Sequence, residues 1–82
     1  METNIGKASK KVVGIKEATK ALKKGNVVAV IIAEDVAQGL IEPLIELSRK
    51  KGVRVEIVPS KLMLGKACNI KTGASAVALL ED

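Results

Sequence analysis

Val27–Val28–Ala29–Val30–Ile31–Ile32–Ala33 is the stretch on which the fold turns. Seven apolar residues run without a polar break, and five of them are β-branched. A strand with one face in water alternates; a strand covered on both faces reads as a continuous run like this one. It therefore asks for a layer of structure on each side. Upstream, Lys11–Val12–Val13 reads as a short strand ending at Gly14. Ile15 to Lys24 then reads as a helix, with Ala18, Ala21 and Leu22 on one face and Gly25 as its stop. Downstream, Glu34–Asp35 makes a polar turn. Leu40, Ile41, Leu44 and Ile45 give an amphipathic helix that closes on Arg49–Lys50–Lys51, suited to the negative end of its dipole, with Gly52 as terminator. Pro43 either kinks that helix or marks its first turn. Val53 to Val58 alternates as a half-buried strand. Pro59–Ser60 ends it, Ser60 serves as N-cap for a helix from Lys61 to Cys68, and Asn69 supplies a left-handed turn. Ala74 to Leu80 forms the last strand. The order β-α-β-α-β-α-β predicts one α/β domain over 1–82, a sheet with helices on both faces.

The absences in the composition exclude whole classes of function. Among 82 residues there are 14 Lys and Arg against 9 Asp and Glu, one Cys, no His and no aromatic residue. Without His there is no Ser–His or Cys–His nucleophile and no histidine metal site. Without aromatic rings there is no stacking platform for single-stranded nucleic acid. One Cys makes neither an internal disulfide nor a thiolate cluster, which points to a reducing compartment. The longest apolar run is far short of a membrane span, and Met1–Glu2–Thr3–Asn4 does not begin a signal peptide. A cytoplasmic protein without cofactor or metal is expected.

Three segments invite a chemical reading and fail it. Ser60 to Ala67 is similar to a phosphate-binding P-loop, but Ser60 stands where the first glycine belongs and Ala67 lacks the Mg²⁺-holding hydroxyl. Cys68 has no base to activate it and reads as a small buried residue. Glu34–Asp35, two adjacent carboxylates without partners, decorate a turn. No enzyme is expected.

The net charge of +5 points instead to an acidic partner. Seven cations lie between Lys7 and Lys24 and seven between Arg49 and Lys71, while Gly25 to Ser48 has none. This segregation predicts that two distant segments fold into one basic surface, the mark of a polyanion binder. The strongest constellation is Gly14–Ile15–Lys16–Glu17–Ala18–Thr19–Lys20. A helix start offers unpaired N–H groups and a positive dipole end to phosphate. Lys16 and Lys20 share a face at i, i+4. Glu17 adds an acceptor among donors, as reading a guanine edge requires.

Four segments now show a likeness: Gly14–Leu22 (GIKEATKAL), Val27–Asp35 (VVAVIIAED), Lys50–Val53 (KKGV) and Val58–Cys68 (VPSKLMLGKAC). In this order and spacing the chain resembles the kink-turn RNA-binding superfamily of ribosomal proteins L7Ae and L30e, most of all its short bacterial, ribosome-associated branch. The resemblance implies a three-layer α-β-α sandwich with a mixed four-stranded sheet. It implies that Gly14, Ile15, Lys16, Glu17 and Lys20 meet the RNA, with Lys16, Glu17 and Lys20 on guanines of tandem sheared G·A pairs. It implies that Val58, Pro59, Ser60 and Lys61 form the loop over the kinked bulge. The partner implied is a structured RNA, with rRNA and riboswitch RNA as its sources; no membrane is involved, and a monomer is expected. The likeness departs at Lys16, where archaeal members carry Asn, at Ala37, where some carry Glu, and at Pro59, where many carry Arg. A ribosomal module that meets rRNA without motif preference is the alternative.

Overall fold

The structure, a computed structural model, describes residues 10–68 and 72–81. Its elements are β1 (Lys11–Val13), α1 (Ile15–Lys24), β2 (Val27–Ala33), α2 (Gln38–Lys50), β3 (Arg54–Val58), α3 (Lys61–Ala67) and β4 (Ala76–Leu80). The sheet order is β1-β4-β2-β3, with β2 and β3 parallel and β4 antiparallel to both β1 and β2. The apolar run thus becomes a central strand. Ala29, Ile31 and Ala33 face one side of the sheet, with Leu64 and Cys68 of α3 packed on them. Val27, Val30 and Ile32 face the other, under Ala18, Ala21 and Leu22 of α1 and Ile41 and Leu44 of α2. Val27 and Val30 share a face although three residues apart because the pairing with β4 shifts register between Val27 and Ala29. The extra residue, Val28, is left 56% exposed. Ala76 and Ala78 of β4 lie on the face toward α1, where their small side chains let the helix come down on the sheet.

The α/β alternation, the helices on both faces and the mixed four-stranded sheet all hold. Both crossovers from β1 and β2 lay their helices on one face, as parallel connections of one hand must. The ends differ slightly from expectation. β4 begins two residues late, because Ala74 and Ser75 form a bend whose backbone serves the neighbouring loops. β3 begins at Arg54, since the Val53 N–H is taken by the Ser48 carbonyl at the end of α2. Cys68 is the C-cap of α3 and no longer helical. Pro43 lies within α2, in its second turn; α2 simply begins earlier, at Gln38. Gly25 ends α1 in the left-handed conformation, its N–H on the carbonyls of Ala21 and Leu22. Asn69, Lys7 and Lys71 fall outside the described residues.

One expectation is corrected. The two basic segments do not fold as wholes into a single basic surface; parts of both meet at one end of the sheet. Each is carried across the molecule by an element: α1 takes Lys16 to one end of the sheet and Lys23 and Lys24 to the other, and β3 separates Arg54 from Lys61. Arg49, Lys50 and Lys51 close α2 at that second end, and Arg54 opens β3 there.

Candidate nucleic-acid interface

Strands β1, β2 and β3 end on the same side of the molecule, so α1, α2 and α3 all begin there. Backbone hydrogen bonds weld these turns together. Gly14 N–H donates to the Ala76 carbonyl (2.7 Å), Ala33 N–H to Ser75 (3.0 Å), Glu34 N–H to Val58 (2.8 Å) and Ala74 N–H to Lys61 (3.0 Å). The Gly14 segment leaves one edge of the sheet and the Val58–Lys61 segment leaves the other. Three strand spacings put them about 14 Å apart on a rigid frame.

Gly14 has φ 108° and ψ 152°, a conformation that side chains rarely tolerate, and a Cβ there would meet nothing within 4 Å. The glycine is therefore required by the backbone turn and leaves open space in front of it. No side chain caps the start of α1, so its first N–H groups point outward unpaired by any cap. Lys16, Glu17 and Lys20 are all exposed around this start. Glu17 and Lys20 also line a shallow cleft of about 160 Å³ with Val12, Lys24 and Leu80.

Across the end, Ser60 caps α3 as its sequence position suggests: its Oγ accepts the Met63 N–H at 3.1 Å. Pro59 and Lys61 are exposed, and Leu62 and Met63 present 57% and 54% of their surface to solvent. Ile15 and Val58 differ from the other candidates. Their partly buried side chains pack against the two halves of the core, so only part of each faces the surface. A residue missed in the sequence holds the loop in place. Asp35 Oδ1 accepts the Lys61 N–H at 2.9 Å, tying the β2–α2 turn to the start of α3. Glu34–Asp35 is thus more than the decoration of a turn.

Residues 3–82 match the model of the Ribosomal protein L7Ae/L30e/S12e/Gadd45 family. The chain belongs to this family. A relative described as an RNA-binding protein of Geobacillus sp. (strain WCH70) is 44% identical over 73 residues, 89% of each chain. An RNA-binding protein of Bacillus pumilus is 37% identical over 76 residues, 93% of each. Among solved structures, the 15.5 kD RNA-binding protein of Giardia lamblia superposes with TM-score 0.86 at 26% identity, covering 96% of this chain and 67% of that one. A protein of unknown function from Bacillus halodurans shares the fold, with TM-score 0.84 at 20% identity over 95% of this chain and 78% of that one. This family member thus has short bacterial relatives of nearly its own extent.

Among the described residues no group of three His, Cys, Asp or Glu is arranged to hold a metal ion, and no helix is long and apolar enough to cross a membrane.

Proposed function

We propose that this family member is an RNA-binding protein that recognises kink-turns and stabilises their kinked form, acting as a cytoplasmic, ribosome-associated monomer without enzymatic activity. The observation that carries the reading is the pairing of two unlike surfaces on one rigid end. At one edge, the uncapped start of α1 offers N–H donors, two lysines and a carboxylate acceptor. At the other, the β3–α3 turn offers Pro59, Lys61 and exposed Leu62 and Met63. In this reading Lys16, Glu17 and Lys20 address the guanines of tandem sheared G·A pairs, and the turn after Val58 lies over the bulge. The names of the relatives support RNA as the partner. An RNA that presents base edges and a splayed bulge side by side can meet both surfaces, which lie about 14 Å apart.

The test is a gel-shift comparing a kink-turn with the same RNA whose sheared pairs are replaced by Watson–Crick pairs. Strong preference for the kink-turn is expected, because Watson–Crick pairing hides the guanine edges. Equal affinity for both would instead describe a module that meets rRNA without motif preference.

A further inference from the structure

Helices α1 and α2 lie side by side on one face of the sheet, and their last turns bring Lys23, Lys24, Arg49 and Lys50 to the end away from the proposed kink-turn site. Lys10, Lys51 and Arg54 join them from the flanking turns and strands, and all seven are exposed. A groove of about 310 Å³ runs between the helices, with Lys23 on one wall and Lys50 on the other. The turns and early helix turns of the proposed site carry Lys16, Lys20 and Lys61 against Glu17, Glu34, Asp35 and Glu42, a near balance, and Lys66 lies in the last turn of α3. The remaining described cations, these seven and Lys11, face only Glu46, Glu56 and Glu81. The net positive charge of the described residues therefore belongs to the end that the proposed site does not use.

The fold does not account for this charge. Two helix C-termini welcome cations, but each amounts to about half a negative charge. Among the described residues Arg54 Nη2 pairs with Glu56 Oε2 at 2.6 Å. Lys24 reaches a cleft shared with Glu17 and Lys20. The cations that close α2 and open β3, by contrast, lie a strand length from the proposed site, about 23 Å over the seven residues of β2 and well beyond a Debye length of about 8 Å at physiological salt. The surface offers few large apolar side chains. Among the described residues, exposed Val13, Leu40, Ile57, Leu62 and Met63 lie toward the proposed site and Val28 at the basic end, where Pro43 and Leu47 also line the groove. A lipid surface asks for an apolar face to insert, and a protein partner for an apolar patch to bury. A phosphate backbone asks for cations alone, and both arginines of the chain, whose planar forks match phosphate, are here.

We infer that this end is a second, sequence-independent binding surface for the phosphate backbone of duplex RNA, able to hold one RNA helix while the opposite end holds another. Lys23, Lys50 and Lys51 are its central cations.

The test adds a labelled plain RNA duplex to the full chain already saturated with a minimal unlabelled kink-turn, and follows anisotropy across a salt series. The duplex is expected to bind the occupied protein. Lys23→Ala, Lys50→Ala and Lys51→Ala combined should weaken it roughly tenfold or more and make the log K–log salt slope shallower by about 2 to 3. The same variant should keep the parent's affinity for the kink-turn, and Glu17→Ala should leave duplex binding unchanged. Displacement of the duplex by the kink-turn in a single shared site would overturn the inference. So would a triple variant that binds duplex as the parent does, or a preference for vesicles of anionic lipid over the duplex at the same salt. If no kink-turn binds, the proposed function fails by itself, and the duplex series on the free protein and its triple variant still decides the second surface.

Discussion

Glu17 stands exposed in the first turn of α1 as the one acidic residue there. A carboxylate facing RNA repels phosphate, so removing it from a merely electrostatic surface should tighten binding. If it reads guanine edges instead, Glu17→Ala should lose discrimination by roughly 1–3 kcal/mol. The measurement is the ratio of kink-turn to duplex affinity in parent and variant; tighter binding to both RNAs would refute the readout role. Cys68 sits 4% exposed against β2 and β4, and burial pushes its thiol above the ordinary value near 9, with Lys11 pulling modestly the other way. The folded chain thus holds this proton more tightly than the unfolded one. The stability linked to it is present below the unfolded value and is lost as pH rises through the folded one. A thiol reagent should therefore label the native protein far more slowly than the denatured protein, and denaturant midpoints should begin to fall above about pH 9. Cys68→Ala should remove its part of that alkaline loss and leave RNA binding intact. The inward position of Cys68 was legible in the sequence, since no partner residue offered it another role. The role of Asp35 was not: its bond to Lys61 spans 26 residues, and no local pattern records such a contact.

Helix α3 is the element whose placement depends most on single contacts. It has seven residues, and Gly65 at its centre faces the Thr72–Gly73 backbone so closely that a Cβ would overlap the Thr72 carbonyl oxygen. Backbone cannot step aside as a flexible side chain can. Gly65→Ala should therefore destabilise by about 1–3 kcal/mol, as overpacking does, despite alanine's better helix propensity. Urea unfolding checks it; a stabilised variant would mean that the helix and the 72–73 segment are not in contact. Asp35→Ala removes the acceptor that anchors the start of α3 and should cost about 0.5–2 kcal/mol, as the loss of a cap does. Asp35→Asn, which keeps an acceptor oxygen, should recover most of that cost. The bounds of α1 and β2 could be read residue for residue, because Gly25 stops the first and the apolar run defines the second. The start of α2 was hidden, because Ala37 caps nothing and Gln38–Gly39 carries no apolar period, leaving Pro43 as a misleading marker. Leu64–Gly65–Lys66–Ala67 belongs to a segment that carries the family likeness, and its glycine is explained by packing.

At the scale of the molecule, the chain has an axis that its sequence conceals. Composition shows two basic segments, but α1 in one and β3 in the other carry part of the charge to the far end, so proximity in sequence is a poor guide to a shared surface. What remains at the proposed site is charge balance with exposed apolar side chains, a surface fitted to shape and base edges more than to polyanions in general. That has a consequence for mechanism. A kink-turn RNA exchanges between extended and kinked forms, and in the proposed reading it is the kinked form that engages the α1 start and the β3–α3 turn together. Binding then shifts the population by the difference in affinity for the two forms. Going from 1:99 to 99:1 takes about 5.5 kcal/mol of preference. Base-edge contacts at about 1–3 kcal/mol each from Lys16, Glu17 and Lys20 are of the right size, with Leu62 and Met63 adding apolar contact. In a doubly labelled RNA without divalent ions, energy transfer should rise to the kinked value as protein is added, and the midpoint should move little with salt for a site of balanced charge. Combined Leu62→Ser and Met63→Ser should leave the RNA bound more weakly and less fully kinked. Tight binding with transfer held at the extended value would show that the two surfaces are not engaged together.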